Sequence, residues 1–492
     1  MYYISTRGGS EKKTSARVIK QGLAEDGGLF VPERIPTVSK DFIKKLAEED
    51  YAHRAADVLS LYLTDYTYDE LLSAATDAYK EESFGKYAAP VKSLDKTHKV
   101  LELWHGPTCA FKDIALQIMP RLLSTALKKT GEKRTALILV ATSGDTGKAA
   151  LEGYKDVDGV KIMVFYPEDG VSDIQKLQMA SQEGENVNVC AIKGNFDDAQ
   201  TGVKQIFSDT NIAKELDEKG YFLSSANSIN WGRLAPQIVY YFSAYCDLMN
   251  AGDITLGDEI DVCVPTGNFG NIFAAYLAKK MGLPVRRFIC ASNVNNVLTD
   301  FINTGIYDRN RQFHTTISPS MDILISSNLE RLLWLIQGEE KTAECMKLLK
   351  ETGKYEVSAE VREKIASEFI GCFASDDETK QTIAETFEKH SYLIDTHTAV
   401  ALFAAKKNAT DIPVVTASTA SPYKFAADVL SALTGNRDNG NDFFRILREL
   451  NAKTGAAVPR PLAALENKTR RFTTSVGKSK DEMFAEVAKF AD

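Results

Sequence analysis

An α/β protein built on two open, twisted sheets is the fold class this sequence predicts, and three observations predict it. Short apolar runs alternate with amphipathic helical stretches along most of the chain. Two of those runs, 135–141 and 260–265, end in glycine-containing turns that pass directly into helical patterns. At 492 residues the chain is too long for one core, so two or three domains are expected.

Taken in order, residues 1–95 carry helical patterns such as 41–49 and 69–81 and read as an N-terminal subdomain. Residues 96–250 read as a first α/β domain. Its strand 135–141 ends in Thr142-Ser143-Gly144-Asp145-Thr146-Gly147, a helix begins at Lys148-Ala149-Ala150-Leu151, and further strands are expected at 160–166 and 187–192. Residues 251–492 read as a second α/β domain, with strand 260–265, a turn at 266–271, helix 272–281 and a late strand 414–420. Within it, 329–390 is rich in Glu and Lys and holds little strand signal, so a solvated helical insertion is expected there.

Composition excludes more than it selects. With 59 Lys+Arg against 67 Asp+Glu the net charge is −8, so no basic face for nucleic acid is implied, and an anionic ligand must be met by locally gathered cations. The seven scattered cysteines lack Cys-x-x-Cys pairing and suggest neither a zinc site nor a disulfide framework; no metal is expected. Met1-Tyr2-Tyr3-Ile4-Ser5 does not open a charged-then-apolar leader, and no apolar run approaches the ~18 residues of a membrane span. A cytoplasmic protein without a membrane partner is expected.

Lys112 has the most unusual setting, in Trp104-His105-Gly106-Pro107-Thr108-Cys109-Ala110-Phe111-Lys112-Asp113. Pro107 suits a turn, Thr108 is a good N-cap, and Ile114, Leu116, Ile118 and Met119 continue at mixed helical spacing, so a helix is expected from about Ala110. Lys112 would lie in its first turn. There the positive end of the helix dipole and partial burial both favour a neutral amine, which can form a Schiff base. Downstream, Gly267-Asn268-Phe269-Gly270-Asn271 follows a strand and opens a helix. Its glycines let backbone N–H groups converge and the helix N-terminus adds positive potential, so the loop reads as a phosphate cradle. It lacks the Gly-x-Gly-x-x-Gly spacing of dinucleotide folds. The Gly144–Lys148 stretch is not a nucleotide P-loop, because Thr142 stands where the first glycine belongs and Ala149 replaces the magnesium-binding hydroxyl.

The Lys112 segment resembles the pyridoxal-phosphate lysine segment of threonine synthases, and the resemblance runs along most of the chain. Ser5-Thr6-Arg7-Gly8 and Asp26-Gly27-Gly28-Leu29-Phe30-Val31-Pro32 are similar to the family's N-terminal signature. Then follow, in the family's order, Thr142 to Gly147, Asn227-Ser228-Ile229-Asn230-Trp231-Gly232-Arg233, Pro265 to Asn271, Pro319-Ser320-Met321-Asp322-Ile323 and Tyr392 to Val400. The resemblance implies a fold-type-II pyridoxal-phosphate enzyme. It would turn O-phospho-L-homoserine and water into L-threonine and phosphate, as a monomer or homodimer, through a cofactor bound covalently to Lys112. The alternatives are a threonine or serine dehydratase or other lyase of the same fold, and a non-catalytic relative that binds the cofactor.

Site roles follow from the same resemblance. Lys112 is the cofactor lysine and mobile base, and Gly267, Asn268, Phe269, Gly270 and Asn271 hold the cofactor phosphate. Thr142, Ser143, Thr146 and Gly147 are candidates for the substrate carboxylate. Asp145 stands where many relatives of the wider fold carry Asn beside the cofactor's phenolic oxygen. Asn227, Asn230 and Arg233 form the substrate-specific constellation, a fixed guanidinium suiting bidentate phosphate recognition. Val414 to Ala420 leads into Ser418-Thr419-Ala420-Ser421-Pro422-Tyr423-Lys424-Phe425, which resembles the family's Ser-Thr-Ala-His-Pro-Ala-Lys-Phe. Thr419 then faces the pyridine nitrogen, where a hydroxyl tempers carbanion delocalisation. Lys424 is a possible contact to a phosphorylated substrate, while Ser421 and Tyr423 depart from the pattern. His105 is expected to orient or pack rather than to carry protons.

Overall fold

The computed structural model describes residues 1–142, 144–168, 171–436 and 442–492. Fifteen strands lie among the described residues: β1 (Tyr3–Ser5), β2 (Phe30–Pro32), β3 (Val91–Ser93), β4 (His98–Glu102), β5 (Thr135–Ala141), β6 (Val160–Pro167), β7 (Val187–Ile192), β8 (Tyr221–Ser224), β9 (Ile260–Pro265), β10 (Val285–Ser292), β11 (Ile306–Asp308), β12 (Lys354–Glu356), β13 (Phe369–Phe373), β14 (Val414–Ser418) and β15 (Ser475–Val476). One sheet has six strands in the order β13-β10-β9-β14-β4-β3, all parallel except the outer β3–β4 pair. The other has five parallel strands in the order β15-β7-β6-β5-β8. Two small antiparallel pairs, β1–β2 and β11–β12, complete the strands.

The parallel strands read as continuous apolar runs because both faces are covered. Along β5, Ile138 and Val140 enter the central core shared with the helix Lys112–Lys129. Leu137 and Leu139 face the opposite way, toward Met483 and Val487 of the helix Lys480–Ala491. The period of two is thus present in the packing although the hydropathy pattern hides it. No helix among the described residues is long and apolar enough to cross a membrane.

Strand positions 135–141, 187–192 and 260–265 agree with expectation, while the helix expected from 272 starts at Gly270 and the one expected from Lys148 starts at Asp145. Three expectations are corrected. The stretch 329–390 is not a purely helical insertion: after the helices Leu329–Gln337, Glu339–Thr352 and Ala359–Glu368 it supplies β13, an edge strand of the larger sheet. Five residues between charged helices give a weak signal, yet Gly371 lets the backbone of Thr299 approach so closely that a Cβ there would stand 2.9 Å from it. The late strand stops at Ser418, two residues early, because the chain turns to pair with the Lys112 segment. Finally, the segments 1–95, 96–250 and 251–492 divide the chain without dividing the sheets. β3 and β4 lie in the sheet of β9, β10 and β14, whereas β15 lies with β5 to β8.

The helix Lys112–Lys129 contains Pro120, which has no N–H to give the carbonyl of Leu116. Gly153, in the helix Asp145–Tyr154, fits against that freed carbonyl, and a Cβ on it would lie 1.8 Å from the oxygen. A missing donor and a missing side chain therefore set how closely these two helices cross.

Candidate active site

Four loops meet at the carboxyl ends of parallel strands, where open sheets bind ligands. They follow β4, β5, β9 and β14 and carry Lys112, Asp145, the 267–271 loop and Thr419 respectively. The segments after β4 and β14 are tied directly: Leu103 N–H donates to Ser418 O and Phe111 N–H to Thr419 O, at 2.9 and 2.8 Å. Two of the four non-glycine residues with positive φ among the described residues, Cys109 at 60° and Phe269 at 59°, lie in these loops. Such backbone costs ~1–2 kcal/mol per residue and persists where the surroundings fix it.

Lys112 lies in the first turn of its helix, as expected, but the helix starts at Lys112, two residues later than expected, and Thr108 is not the cap. The N-cap is Phe111, without a side-chain bond, and Thr108 is held by Asp113. Thr108 N–H and Oγ1 donate to the two Asp113 carboxylate oxygens at 2.8 and 2.6 Å. Asp113 is buried, and that burial pushes its carboxyl up to about 6 against these hydrogen bonds. The Lys112 side chain is 11% exposed, with Nζ 3.7 Å from Asp145 Oδ2. Burial lowers the Lys112 pKa; Asp145 opposes this, and the positive charges of Lys424 and Arg233 add to it.

Asp145 opens its own helix. Burial works against its charge, but Lys424 at 2.8 Å and Lys112 outweigh it and hold the carboxyl well below the usual range. Gln175 Nε2 adds a hydrogen bond of 3.0 Å. Lys424 also donates to Thr108 O at 3.1 Å. The expected phosphate-seeking lysine is therefore already engaged on two sides.

The other predicted residues separate into engaged and available groups. Thr142 Oγ1 accepts from the N–H groups of Gly144 and Gly147 at 3.0 and 2.9 Å, so the Gly147 amide is engaged within the loop while the Thr142 hydroxyl keeps its own proton to donate. Ser143 lies outside the described residues. Thr146 is partly exposed. Asn230 is also structural: its Nδ2 donates to Ile19 O and its Oδ1 accepts from Gly232 N–H, both at 2.9 Å, capping the short helix Trp231–Leu234. Asn227 is exposed. Arg233 is 6% exposed and donates to Ala226 O at 2.9 Å; burial pushes it down to about 10. Among the described residues no carboxylate pairs with it.

In the 267–271 loop, Phe269 is buried in the left-handed conformation and the helix Gly270–Met281 follows. Asn271 Oδ1 accepts from the hydroxyls of Tyr240 and Tyr241, while its buried Nδ2 finds no acceptor. Asn268 is exposed, and its carbonyl accepts from Asn328 N–H and Nδ2 at 3.0 and 2.9 Å. Ser326 Oγ donates to Gly267 O at 2.6 Å. A Cβ on Gly267 would meet Ser320 O at 2.6 Å, so that glycine is required by a neighbouring loop as much as by any ligand. His397 holds that loop, accepting from Ser320 N–H at 3.1 Å through Nε2 while Nδ1 faces Asp395 at 2.8 Å. His105 is set by Glu102 at 2.7 Å and stacked on Trp104, in line with an orienting role.

Asp113, Gln175, Ser326 and Asn328 were not among the predicted site residues. Asp113 had a signal, being adjacent to Lys112, whereas the other three act from 30 or more positions away in sequence.

Comparison with known proteins gives a consistent result. Three family models match in order: "Threonine synthase N terminus" at residues 2–79, "Pyridoxal-phosphate dependent enzyme" at 100–416, and "Threonine synthase, C-terminal" at 398–484. The chain is 40% identical over 443 residues to the threonine synthase of Pseudomonas aeruginosa, covering 88% of this chain and 91% of that one. It is 42% identical over 452 residues to human threonine synthase-like 1, covering 88% of this chain, and spans about 60% of the human protein's length. The crystal structure of pyridoxal-phosphate-bound threonine synthase from Brucella melitensis superposes with a TM-score of 0.88 at 36% identity, covering 100% of this chain and 99% of that one. That of the yeast threonine synthase also gives 0.88, at 32% identity, with 99% and 98% covered.

Proposed function

Because the chain belongs to the threonine synthase family of pyridoxal-phosphate-dependent enzymes, with the type II fold, we propose that it converts O-phospho-L-homoserine and water into L-threonine and phosphate. The observation that carries this reading is Arg233. A buried guanidinium with no carboxylate partner among the described residues, close enough to Lys112 to lower its pKa, suits a substrate that brings a phosphate ester to the reacting amine. The protein's net charge of −8 makes such a local cation all the more specific.

The residues present fit the cofactor. The orphaned Asn271 Nδ2 and the first-turn amides of the helix Gly270–Met281 offer donors to its phosphate. Thr419, 7% exposed beyond the end of β14, suits the pyridine nitrogen, and Lys112 the aldehyde carbon. When bound, pyridoxal phosphate withdraws electrons from the substrate's α-carbon. Lys112 does the proton work: its neutral amine takes the Cα proton and passes it to the phosphate group, takes a Cβ proton as phosphate leaves from Cγ and returns it at Cγ, and, as water adds its oxygen at Cβ, carries the proton water gives up back to Cα. Arg233 holds the phosphate before and as it departs.

Purified protein loaded with cofactor is expected to release equal amounts of threonine and phosphate from phosphohomoserine, and neither from homoserine. Lys112→Ala is expected to lose the borohydride-reducible link to the cofactor and to slow turnover by ~10²–10⁴-fold or more. Rapid ammonia release from serine or threonine, with phosphohomoserine untouched, would instead establish the dehydratase alternative.

A further inference from the structure

Two buried amines share one carboxylate. Lys424 Nζ lies 2.8 Å from Asp145 Oδ1, with its side chain 2% exposed, and Lys112 Nζ lies 3.7 Å from Oδ2. Among the described residues, the charged groups facing the Lys112 nitrogen are Asp145 from the helix Asp145–Tyr154, Lys424 from the turn Pro422–Phe425 and Arg233 from the helix Trp231–Leu234. Take Lys424 away and the nearest counter-charge for Asp145 in this dry place is Lys112 itself. Opposite charges this close shift a titration by ~1–3 pH units toward the charged form. An ammonium can neither attack an aldehyde nor accept a proton.

Lys424 is held in place with some care. Ser421 N–H donates to Cys109 O at 3.0 Å, Ser421 Oγ caps the turn by accepting from Tyr423 N–H at 3.3 Å, and the Tyr423 hydroxyl donates to Ala456 O. The two departures from the family pattern, Ser421 and Tyr423, thus fix the turn that carries Lys424. Its ammonium is committed to Asp145 and to Thr108 O, leaving it poorly placed to follow a departing phosphate.

We infer that Lys424 is a positioning residue for Lys112: by taking Asp145 into its own ion pair, it keeps that carboxylate from clamping the Lys112 amine as an ammonium. The inference rests on the reading of Lys112 as the reacting amine. Asp145 then works as half of a neutral pair, whereas an unpaired carboxylate would trap the amine beside it.

The test reads the Lys112 titration without turnover. The full chain, freed of cofactor, is labelled with trace acetic anhydride from pH 6 to 11, and acetylation of Lys112 is followed by mass spectrometry. Lys424→Met is expected to raise the Lys112 midpoint by about one pH unit, lowering its labelling near neutral pH about tenfold. Asp145→Asn is expected to lower the midpoint, the double variant to return toward wild type, and Lys424→Arg to keep the wild-type value. An unmoved midpoint in Lys424→Met, or the same shift in the Asp145→Asn background, overturns the inference. If Lys424→Met does not fold, Asp145→Asn decides alone, and a midpoint that fails to fall is the refuting result. Borohydride reduction of the cofactor-loaded protein and peptide mapping test the underlying reading separately, since a label on another lysine refutes that reading whatever the midpoints do.

Discussion

Replacing Arg233 with methionine separates a substrate contact from a structural strut. Burial pushes this guanidinium down to about 10, so carrying its charge in the fold costs on the order of a few kcal/mol at neutral pH. Its partner is a carbonyl, that of Ala226 at 2.9 Å, so no ion pair breaks when it goes. Arg233→Met keeps most of the volume and removes the penalty, and the variant is expected to melt no lower than wild type. The loss falls on the phosphorylated substrate: one charge-assisted contact is worth ~1.5–3 kcal/mol, or roughly ten- to a hundred-fold in kcat/KM. Arg233→Lys is expected to recover only part, since a point charge lacks the planar fork. Phosphate release, melting temperature and the visible cofactor band are measured on one preparation. A melting temperature several degrees lower, with kcat/KM unchanged, would refute the reasoning and make Arg233 a brace for the Ala226 turn.

Two further substitutions test the scaffold around the site. The Asp113 carboxyl, raised to about 6, binds its proton more tightly in the fold than in the unfolded chain, so its contribution to stability declines as pH rises from about 4 to about 6 and is level above that. The melting-temperature difference between Asp113→Asn and wild type is therefore expected to move in the variant's favour across that window and stay constant to pH 8; a difference independent of pH speaks against the burial argument. Gly153→Ala places a methyl 1.8 Å from Leu116 O, forcing the helices of Lys112 and Asp145 apart at a cost of ~1–3 kcal/mol or more. Chemical denaturation with unchanged midpoints would show that the crossing is looser than described.

Much of the fold was legible because buried parallel strands announce themselves as apolar runs that stop at glycine. β5 and β9 agree with the expected positions to the residue. β13 was not, since five residues between charged helices carry too little pattern to outweigh them. At the site, residue types were legible and partners were not. Asn230 has the chemistry of a ligand, yet it spends its polar atoms on backbone a few residues or two hundred residues away. Lys424 likewise has the right charge for phosphate, and only the packing reveals that Asp145 already holds it. Hydrogen-bond bookkeeping is a property of the folded arrangement, so a sequence motif names candidates without saying which are spoken for.

The exchange of strands between sheets has a consequence for the order of events on the ribosome. β4, which leads to Lys112, has β14 as its parallel neighbour, and β7 has β15. More than three hundred residues separate β4 from β14, tens of seconds of synthesis at ~5–20 residues per second. Until β14 emerges, one edge of β4 stands open, and neither Thr419 nor Lys424 exists to join Lys112. The reactive lysine is thus made early and equipped late. A nascent chain has an amine but no pocket, so cofactor capture is deferred until nearly the whole polypeptide is available to shield what it binds.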